Sequence, residues 1–221
     1  MHWLNLAYRL PFTEAEGPGR RAAIWVQGCN KRCIGCCNPG YLQLTERDFV
    51  SSESVLDWLE NAHKTYDLEG VTFLGGEPML QAKGLAYLAK GAQTLGLSVM
   101  VFSGYTIEEL SSLQLPSYRE LLLYTDILVD GPYEAKLQDD KRRWVGSENQ
   151  KIHYLTDRYT SEIETEGYVE RTVEVHLNSN GVIFINGWPE KKGYTDLMVD
   201  GAPSPHQSDT TLRWLIDRLR S

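Results

Sequence analysis

Apolar residues in this chain come in short, nearly unbroken runs separated by stretches of helical periodicity. Residues 21–27 (Arg-Ala-Ala-Ile-Trp-Val-Gln), 70–74 (Gly-Val-Thr-Phe-Leu), 97–102 (Leu-Ser-Val-Met-Val-Phe) and 126–129 (Asp-Ile-Leu-Val) each read as a strand covered on both faces. Residues 3–12 read as a short strand of mixed apolar positions, and Lys151–Leu155 as a last strand. A helix opens at Ser51-Ser52-Glu53-Ser54, capped by Ser52 or Ser51, with Val55, Leu56, Trp58, Leu59 and Ala62 along one side. A second covers residues 79–95 and a fourth residues 117–124. Between them Thr106 caps a short third helix, with Glu108 and Glu109 in its first turn. Strand and helix in alternation predict an α/β fold of parallel units with right-handed crossovers. Four or five units make a partial (β/α) barrel, because a closed eightfold barrel takes about 250 residues and this chain has 221.

The pattern changes toward the C-terminus. Glu170–Leu177 alternates polar and apolar, Asn178-Ser179-Asn180-Gly181 is a turn, and Val182–Ile185 is strand-like, which predicts a β-hairpin. Ser208 or Asp209 then caps a terminal amphipathic helix carrying Leu212, Leu215, Ile216 and Leu219. The expected division is a core, residues 1–157, and a hairpin-plus-helix extension, residues 158–221. The hairpin reads as cover for an open sheet edge, or alternatively as a dock for a peptide by strand addition.

Composition narrows the setting. With 42% hydrophobic and 24% charged residues, the chain has enough apolar material for an ordinary core. A net charge of −8 weighs against nonspecific nucleic-acid binding. No apolar run approaches the roughly 20 residues that span a bilayer. Met1-His2-Trp3-Leu4-Asn5 lacks the basic-then-apolar order of a secretory signal. The expectation is a cytoplasmic protein without membrane or nucleic-acid partners.

The chemistry is concentrated in one loop. All four cysteines fall between Cys29 and Cys37, and Cys29, Cys33 and Cys36 have the spacing C-x3-C-x2-C. Three thiolates in one tight loop can wrap an iron–sulfur cluster, leaving one iron open for chemistry. Zinc is the alternative, but it takes four ligands, usually in two pairs, and His63, His153, His176 and His206 have no ligand spacing to this loop. A redox Cys33–Cys36 pair leaves the third thiol unexplained. Cys37 reads as a small core residue, or else as a thiol near the cluster. Arg20, Arg21, Lys31 and Arg32 form a basic patch around the loop, either solvated or offsetting an anionic cluster or an acidic substrate group. The loop follows a buried strand, at the carboxyl end where α/β folds place their sites. Gly75-Gly76-Glu77-Pro78, Ser103-Gly104-Tyr105 and Asp130-Gly131-Pro132 follow the next three strands.

With these spacings the chain resembles the radical S-adenosylmethionine (radical SAM) enzymes. Gly17-Pro18-Gly19-Arg20-Arg21 and Ile24-Trp25-Val26-Gln27-Gly28-Cys29 make it similar to the activating enzymes of glycyl-radical enzymes, in particular the activases of anaerobic ribonucleotide reductase. The likeness covers roughly residues 5–155. It implies a [4Fe–4S] cluster on Cys29, Cys33 and Cys36, with S-adenosylmethionine as cofactor. It implies that Gly75, Gly76, Glu77 and Pro78 hold the cofactor's amino-acid end, a carboxylate and exposed backbone carbonyls meeting its ammonium. Ser103 and Tyr105 stand where the family contacts the ribose or carboxylate, and Asp130 matches the family's D-G element. For each of these three the alternative is ordinary loop chemistry, with Asp130 a cap. Arg21 matches the arginine of G-P-G-x-R, the alternative being a salt bridge covering the sheet bottom. Gly146-Ser147-x-Asn149-Gln150 resembles the family's closing G-S-x-N-Q, and no role follows from its residues alone.

The implied activity is reductive cleavage of S-adenosylmethionine to a 5′-deoxyadenosyl radical, which abstracts hydrogen from a protein or peptide, as a glycyl-radical activase does. The reductant is external and of flavodoxin or ferredoxin type. The other readings are a radical SAM maturase of a ribosomally made peptide, and a non-catalytic iron–sulfur or zinc module, against which Gly75–Pro78 argues. Two features depart from the family: Cys37 stands where an aromatic residue is common, and the C-terminal extension has no counterpart in the short activases.

Overall fold

Arg21–Val26 (β2) lies at the heart of a seven-stranded sheet, and all six of its residues are buried. The computed structural model describes residues 2–164, 172–177 and 183–187. The other strands of the sheet are β1 (Trp3–Thr13), β3 (Asp48–Ser51), β4 (Gly70–Gly75), β5 (Ser98–Phe102), β6 (Ile127–Asp130) and β7 (Lys151–Tyr154), in the order β3-β1-β2-β4-β5-β6-β7. Strands β2, β4, β5 and β6 run parallel, as their unbroken apolar runs predict. The flanks differ from the expected all-parallel arrangement: β1 is antiparallel to both β2 and β3, and β7 is antiparallel to β6. The reason at β7 is its connection. Residues 131–150 contain a single 3-10 turn, Ala135–Leu137, and no crossover helix, so the chain returns beside β6 in the opposite sense. Strand β3 was not expected from the sequence; it has four residues, none buried, and no apolar run to mark it.

Four helices form the crossovers. Helix α1 (Ser52–Tyr66) is capped by Ser51, whose hydroxyl accepts from Ser54 N at 3.1 Å. Helix α2 (Ala82–Thr94) starts later than its apolar pattern predicts, because Pro78–Gln81 winds as a 3-10 turn first. Helix α3 (Ile107–Leu113) opens on a full capping box between Thr106 and Glu109. Helix α4 (Pro116–Leu123) begins with proline in its first turn, where the missing N–H costs nothing.

The main core joins one sheet face to these helices, through Leu6, Ile24, Phe73 and Val101 on strands and Leu59, Leu85, Leu88 and Leu121 on helices. Each fully buried side chain of this size contributes about 1.5–3 kcal/mol. Met100, Ile127 and Val129, from the alternate strand positions, form a second cluster with Val145, Trp144, Tyr159 and Ile163 from the segments after β6. The sheet is thus covered on both faces, by helices on one and by irregular chain on the other.

The chain divides into two compact units, Met1–Gly167 and Tyr168–Ser221. In the second, β8 (Val173–Leu177) pairs antiparallel with β9 (Ile183–Gly187), Val173 opposite Gly187. The expected turn at residues 178–181 and the expected terminal helix lie outside the described residues.

Candidate metal centre and the loops around it

The parallel strands bring their carboxyl ends to one edge of the sheet, with Val26 beside Gly75 and Phe102 beside Val129. The strand ends and loops at that edge carry every residue singled out as a ligand or cofactor contact. The cysteine loop and the G-G-E-P turn are stitched together by backbone. Gly76 N donates to Val26 O at 2.7 Å and Glu77 N to Gly28 O at 2.8 Å, which carries the β2–β4 ladder past the strand ends and up to Cys29. Gly28 N to Tyr41 O (2.8 Å) and Cys29 N to Leu42 O (3.1 Å) close the base of the loop. A Cβ on Gly76 would run into Gly28 O, so this close approach of two chains requires glycine.

All four cysteines are free thiols: Cys29 is buried, Cys33 and Cys36 are partly buried, and Cys37 is exposed. Cys37 is therefore not the small core residue expected. Its thiol donates to the Cys36 sulfur, which also accepts from Asn38 N at 3.4 Å. The Cys37 bond is the main influence holding Cys36 down to about 6, against the opposing effect of burial. The same bond is the largest influence pushing Cys37 well above the ordinary thiol range. Burial pushes the Cys33 thiol up, and the nearby Tyr133 backbone opposes the shift.

Three thiols on one loop, one of them with an N–H donor at its sulfur, are the donor set of an iron–sulfur cluster, and the residues fit that group. Among the described residues no three Cys, His, Asp or Glu side chains gather at a single metal-ion position. A cube takes one cysteine per iron, so its ligands need not converge as those of zinc do.

The expected basic patch is split by the fold. Arg20 and Arg21 stand at the start of β2 and Cys29 beyond its end. Arg20 pairs with Asp67 at 2.9 Å. Arg21 is fully buried and forms a fan of hydrogen bonds rather than the expected salt bridge. It donates to Thr72 Oγ1, Ser98 Oγ and Val71 O, each at 2.8 Å, and to Pro18 O at 3.1 Å. Burial lowers its pKa to about 10. Lys31 and Arg32 remain at the loop. Lys31 Nζ lies 3.8 Å from the centre of the Tyr105 ring and 3.0 Å from Glu109 Oε2, while Asn30 Nδ2 donates to the Tyr105 hydroxyl. These contacts lay the loop against the start of α3.

Glu77 is almost wholly buried, and its carboxylate accepts from Ser103 Oγ (2.9 Å), Gly104 N (2.8 Å) and Met79 N (2.9 Å). Burial pushes its pKa up, and these donors oppose the shift. The carboxylate expected to meet the cofactor's ammonium is thus engaged by protein donors, and it ties the β4 loop to the β5 loop. Pro78 opens the 3-10 turn that follows. Ser103 also accepts from Tyr105 N at 3.1 Å. Asp130 is buried beneath α3, its Oδ2 accepting from Ile107 N at 2.7 Å and lying 2.9 Å from His153 Nε2. The carboxylate therefore serves α3, as a cap does.

Three contributors were missed. Gln81 accepts from Asn5 N (2.8 Å) and donates to Asn5 O and Gln27 O (both 3.0 Å), linking α2 to β1 and to the approach of the cysteine loop. Tyr133 packs on the loop at Gly35, a contact with no local sequence signal. His153 meets Asp130 only through the β6–β7 pairing. A cleft of about 500 Å³ lies behind the loop, lined in part by Gln27, Leu44, Leu80 and Gln81.

The chain matches the 4Fe-4S single cluster domain family over residues 15–153. It is 29% identical over 152 residues to the anaerobic ribonucleoside-triphosphate reductase-activating protein of Enterobacteria phage T4, covering 66% of this chain and 92% of the relative. It is 30% identical over 158 residues to the protein of that name from Vibrio cholerae, covering 69% of this chain and 99% of the relative. Among solved structures, QueE from Escherichia coli superposes with a TM-score of 0.36 at 20% identity, over 48% of this chain and 53% of that one.

Proposed function

This chain belongs to the 4Fe-4S single cluster domain family as an activase-like radical SAM enzyme, and on that premise we propose that it installs a glycyl radical in a partner protein. The relatives' names point to an anaerobic ribonucleoside-triphosphate reductase as the partner. The observation that carries the reading is the junction of the cysteine loop with the G-G-E-P turn at the carboxyl ends of β2 and β4. When bound, the [4Fe–4S] cluster and S-adenosylmethionine supply the one-electron chemistry that removes a hydrogen atom from the substrate.

Cys29, Cys33 and Cys36 hold the cluster. The backbone of Gly75, Gly76 and Glu77, with Pro78 fixing the turn, holds the amino-acid end of the cofactor. The Glu77 carboxylate acts one step back, setting the relative position of the β4 and β5 loops. Ser103 and Tyr105 line the β5 loop, which Asn30 and Lys31 bring against the cysteines. Asp130 shapes the site through the start of α3. The sheet serves as a partial barrel whose open side admits a polypeptide loop, residues 1–157 forming the radical SAM core and 158–221 an extension. The electron comes from a flavodoxin- or ferredoxin-type protein in the cytoplasm, where four free thiols stay reduced. Among the described residues no helix is long and apolar enough to cross a membrane.

The test is anaerobic reconstitution of the full chain, followed by dithionite and S-adenosylmethionine, with and without an anaerobic ribonucleoside-triphosphate reductase from the same organism. The expected products are 5′-deoxyadenosine and a glycyl-radical electron paramagnetic resonance signal on the reductase. No 5′-deoxyadenosine from an intact cluster would remove the enzyme reading. A covalent change in a short peptide, with no glycyl radical, would replace the activase by a peptide maturase.

A further inference from the structure

Among the described residues, no backbone-to-backbone hydrogen bond reaches Asn30, Lys31 or Arg32, which separate Cys29 from Cys33. The chain on either side is tied: Gly28 N and Cys29 N donate to Tyr41 O and Leu42 O, and Cys36 N donates to Cys33 O. Two side chains hold the middle. Asn30 Nδ2 donates to the Tyr105 hydroxyl. The Lys31 stem lies along Gly104, where a Cβ would stand 3.0 Å from Lys31 Cγ. Its Nζ lies 3.8 Å from the centre of the Tyr105 ring and donates to both oxygens of Glu109, at 3.2 and 3.0 Å. Only 19% of the Lys31 side chain is exposed, so this contact is better shielded than an ordinary surface pair. Glu109 has its own anchor. As the third residue of α3, its Oε2 accepts from Thr106 N at 2.9 Å and its N–H donates to Thr106 Oγ1 at 3.2 Å. Asp130 fixes the same turn of α3 through Ile107 N. Lys31 therefore meets a carboxylate that is already held in place.

We infer that Lys31 and Glu109 form a latch that retains the cluster: it pins the segment between Cys29 and Cys33 to α3, and the cluster leaves when that segment swings away. Such local opening has to break the ion pair and the ring contact together, so the latch adds their free energy to that of opening. Both are positioning residues, acting through Cys29 and Cys33. Position is separable from charge here. A lysine that only offset an anionic cluster would do so better with Glu109 neutral, whereas a latch loosens when either partner is removed. The inference rests on Cys29, Cys33 and Cys36 being the cluster ligands.

The experiment compares Lys31→Met, Glu109→Gln, the double variant and Lys31→Arg with wild type, as full-length protein reconstituted anaerobically. Methionine keeps the stem on Gly104 but has no ammonium. Glutamine keeps an oxygen for Thr106 N but has no charge. Lys64→Met is the control, since it removes an exposed pair with Glu60 on α1. Iron release to an excess of chelator is timed without oxygen, and the melting temperature of each cluster-free protein is read by circular dichroism. Lys31→Met should release iron about fivefold faster and Glu109→Gln about twofold faster, the scale of an ion pair with and without its cation–π contact. The double variant should be no faster than Lys31→Met, and Lys31→Arg should keep the wild-type rate. Cluster-free melting temperatures and the control should match wild type. Where Lys31→Met does not fold, Glu109→Gln carries the test. Wild-type release in both single variants, faster release in Lys31→Met alone, effects that multiply in the double variant, equal acceleration in the control, or loss of the fold in both single variants would each overturn the inference. A wild-type chain that takes up no cluster is a different result, and it removes the ligand reading itself.

Discussion

Glu77 and Ser103 stand in loops that leave neighbouring parallel strands, and the Ser103 hydroxyl donates to Glu77 Oε1 at 2.9 Å. The other carboxylate oxygen takes Gly104 N, and Glu77 N donates to Gly28 O, one residue before Cys29. One buried side chain and its own backbone thus join the loops after β2, β4 and β5. The site edge behaves as one unit, in which an error at Glu77 displaces the cysteine loop and the β5 loop together.

Glu77→Gln should therefore cost stability. One amide oxygen cannot serve three donors, and the new NH2 group faces donors of its own kind, at a cost of about 1–3 kcal/mol. The pH dependence adds a sign. Burial is the largest influence on Glu77 and raises its folded pKa above the usual 4.5, so the native state holds this proton more tightly than the unfolded chain. Its favourable contribution is complete below the unfolded pKa and is lost as pH rises through the folded value. Urea unfolding at several pH values should show the advantage of wild type over Glu77→Gln shrinking as pH climbs from about 4.5. An advantage that grows with pH would mean that the three donors outweigh burial.

Gly76→Ala tests the seam between the two loops. The added methyl has no space against Gly28 O, and the clash lies between backbones, where no side chain can swing aside. Overpacking of this kind costs about 1–3 kcal/mol. The strain falls one residue from Cys29, so iron uptake should drop along with the melting temperature. An alanine variant with wild-type iron content would show that the seam does not position the cysteines.

Arg21→Met should be damaging in a different way. It leaves Thr72 Oγ1, Ser98 Oγ and Val71 O short of their donor inside the protein. Ser98 Oγ keeps Tyr159 and Glu69 O, and Thr72 Oγ1 keeps Glu16 O, so the expected loss is that of about one buried group left unpaired, about 1–3 kcal/mol. Arg21→Lys should rescue little, because an ammonium cannot reproduce the planar fork. Iron per folded chain should stay at the wild-type level in both variants, since Arg21 sits at the opposite end of β2 from the cysteines. A specific loss of iron would restore the reading of Arg21 as part of a basic patch around the loop.

The four parallel strands were legible because a strand covered on both faces is apolar at nearly every position: Arg21 is the one polar residue of β2 and Thr72 that of β4, and these two bond to each other. Direction was not legible, since period and burial are the same for either sense, and only the missing helix between β6 and β7 marks the reversal. The cysteine spacing and the G-G-E-P turn were visible as local patterns. The partners of Glu77, Arg21, Asp130 and Lys31 were not, because each lies across the fold. Ser103 is 26 residues from Glu77, and Ser98 is 77 from Arg21. Cys37 was misread because cysteine is usually buried, whereas here the loop carries it outward.

The fourth cysteine gives the sharpest test of the loop. Spacing selects Cys29, Cys33 and Cys36, and the exposed Cys37 is bonded to the Cys36 sulfur. Alanine at Cys29, Cys33 or Cys36 leaves a cluster with two of its three protein ligands. Each variant should lose most of its iron and acid-labile sulfide after anaerobic reconstitution. Cys37→Ala should keep both at the wild-type level, because it removes a donor to a ligand and not a ligand. The four variants need to be measured together, because Cys36 and Cys37 are adjacent and either sulfur could be drawn to the metal. Retention of the cluster in Cys36→Ala with its loss in Cys37→Ala would exchange their roles, making Cys37 the third ligand and Cys36 its hydrogen-bond partner.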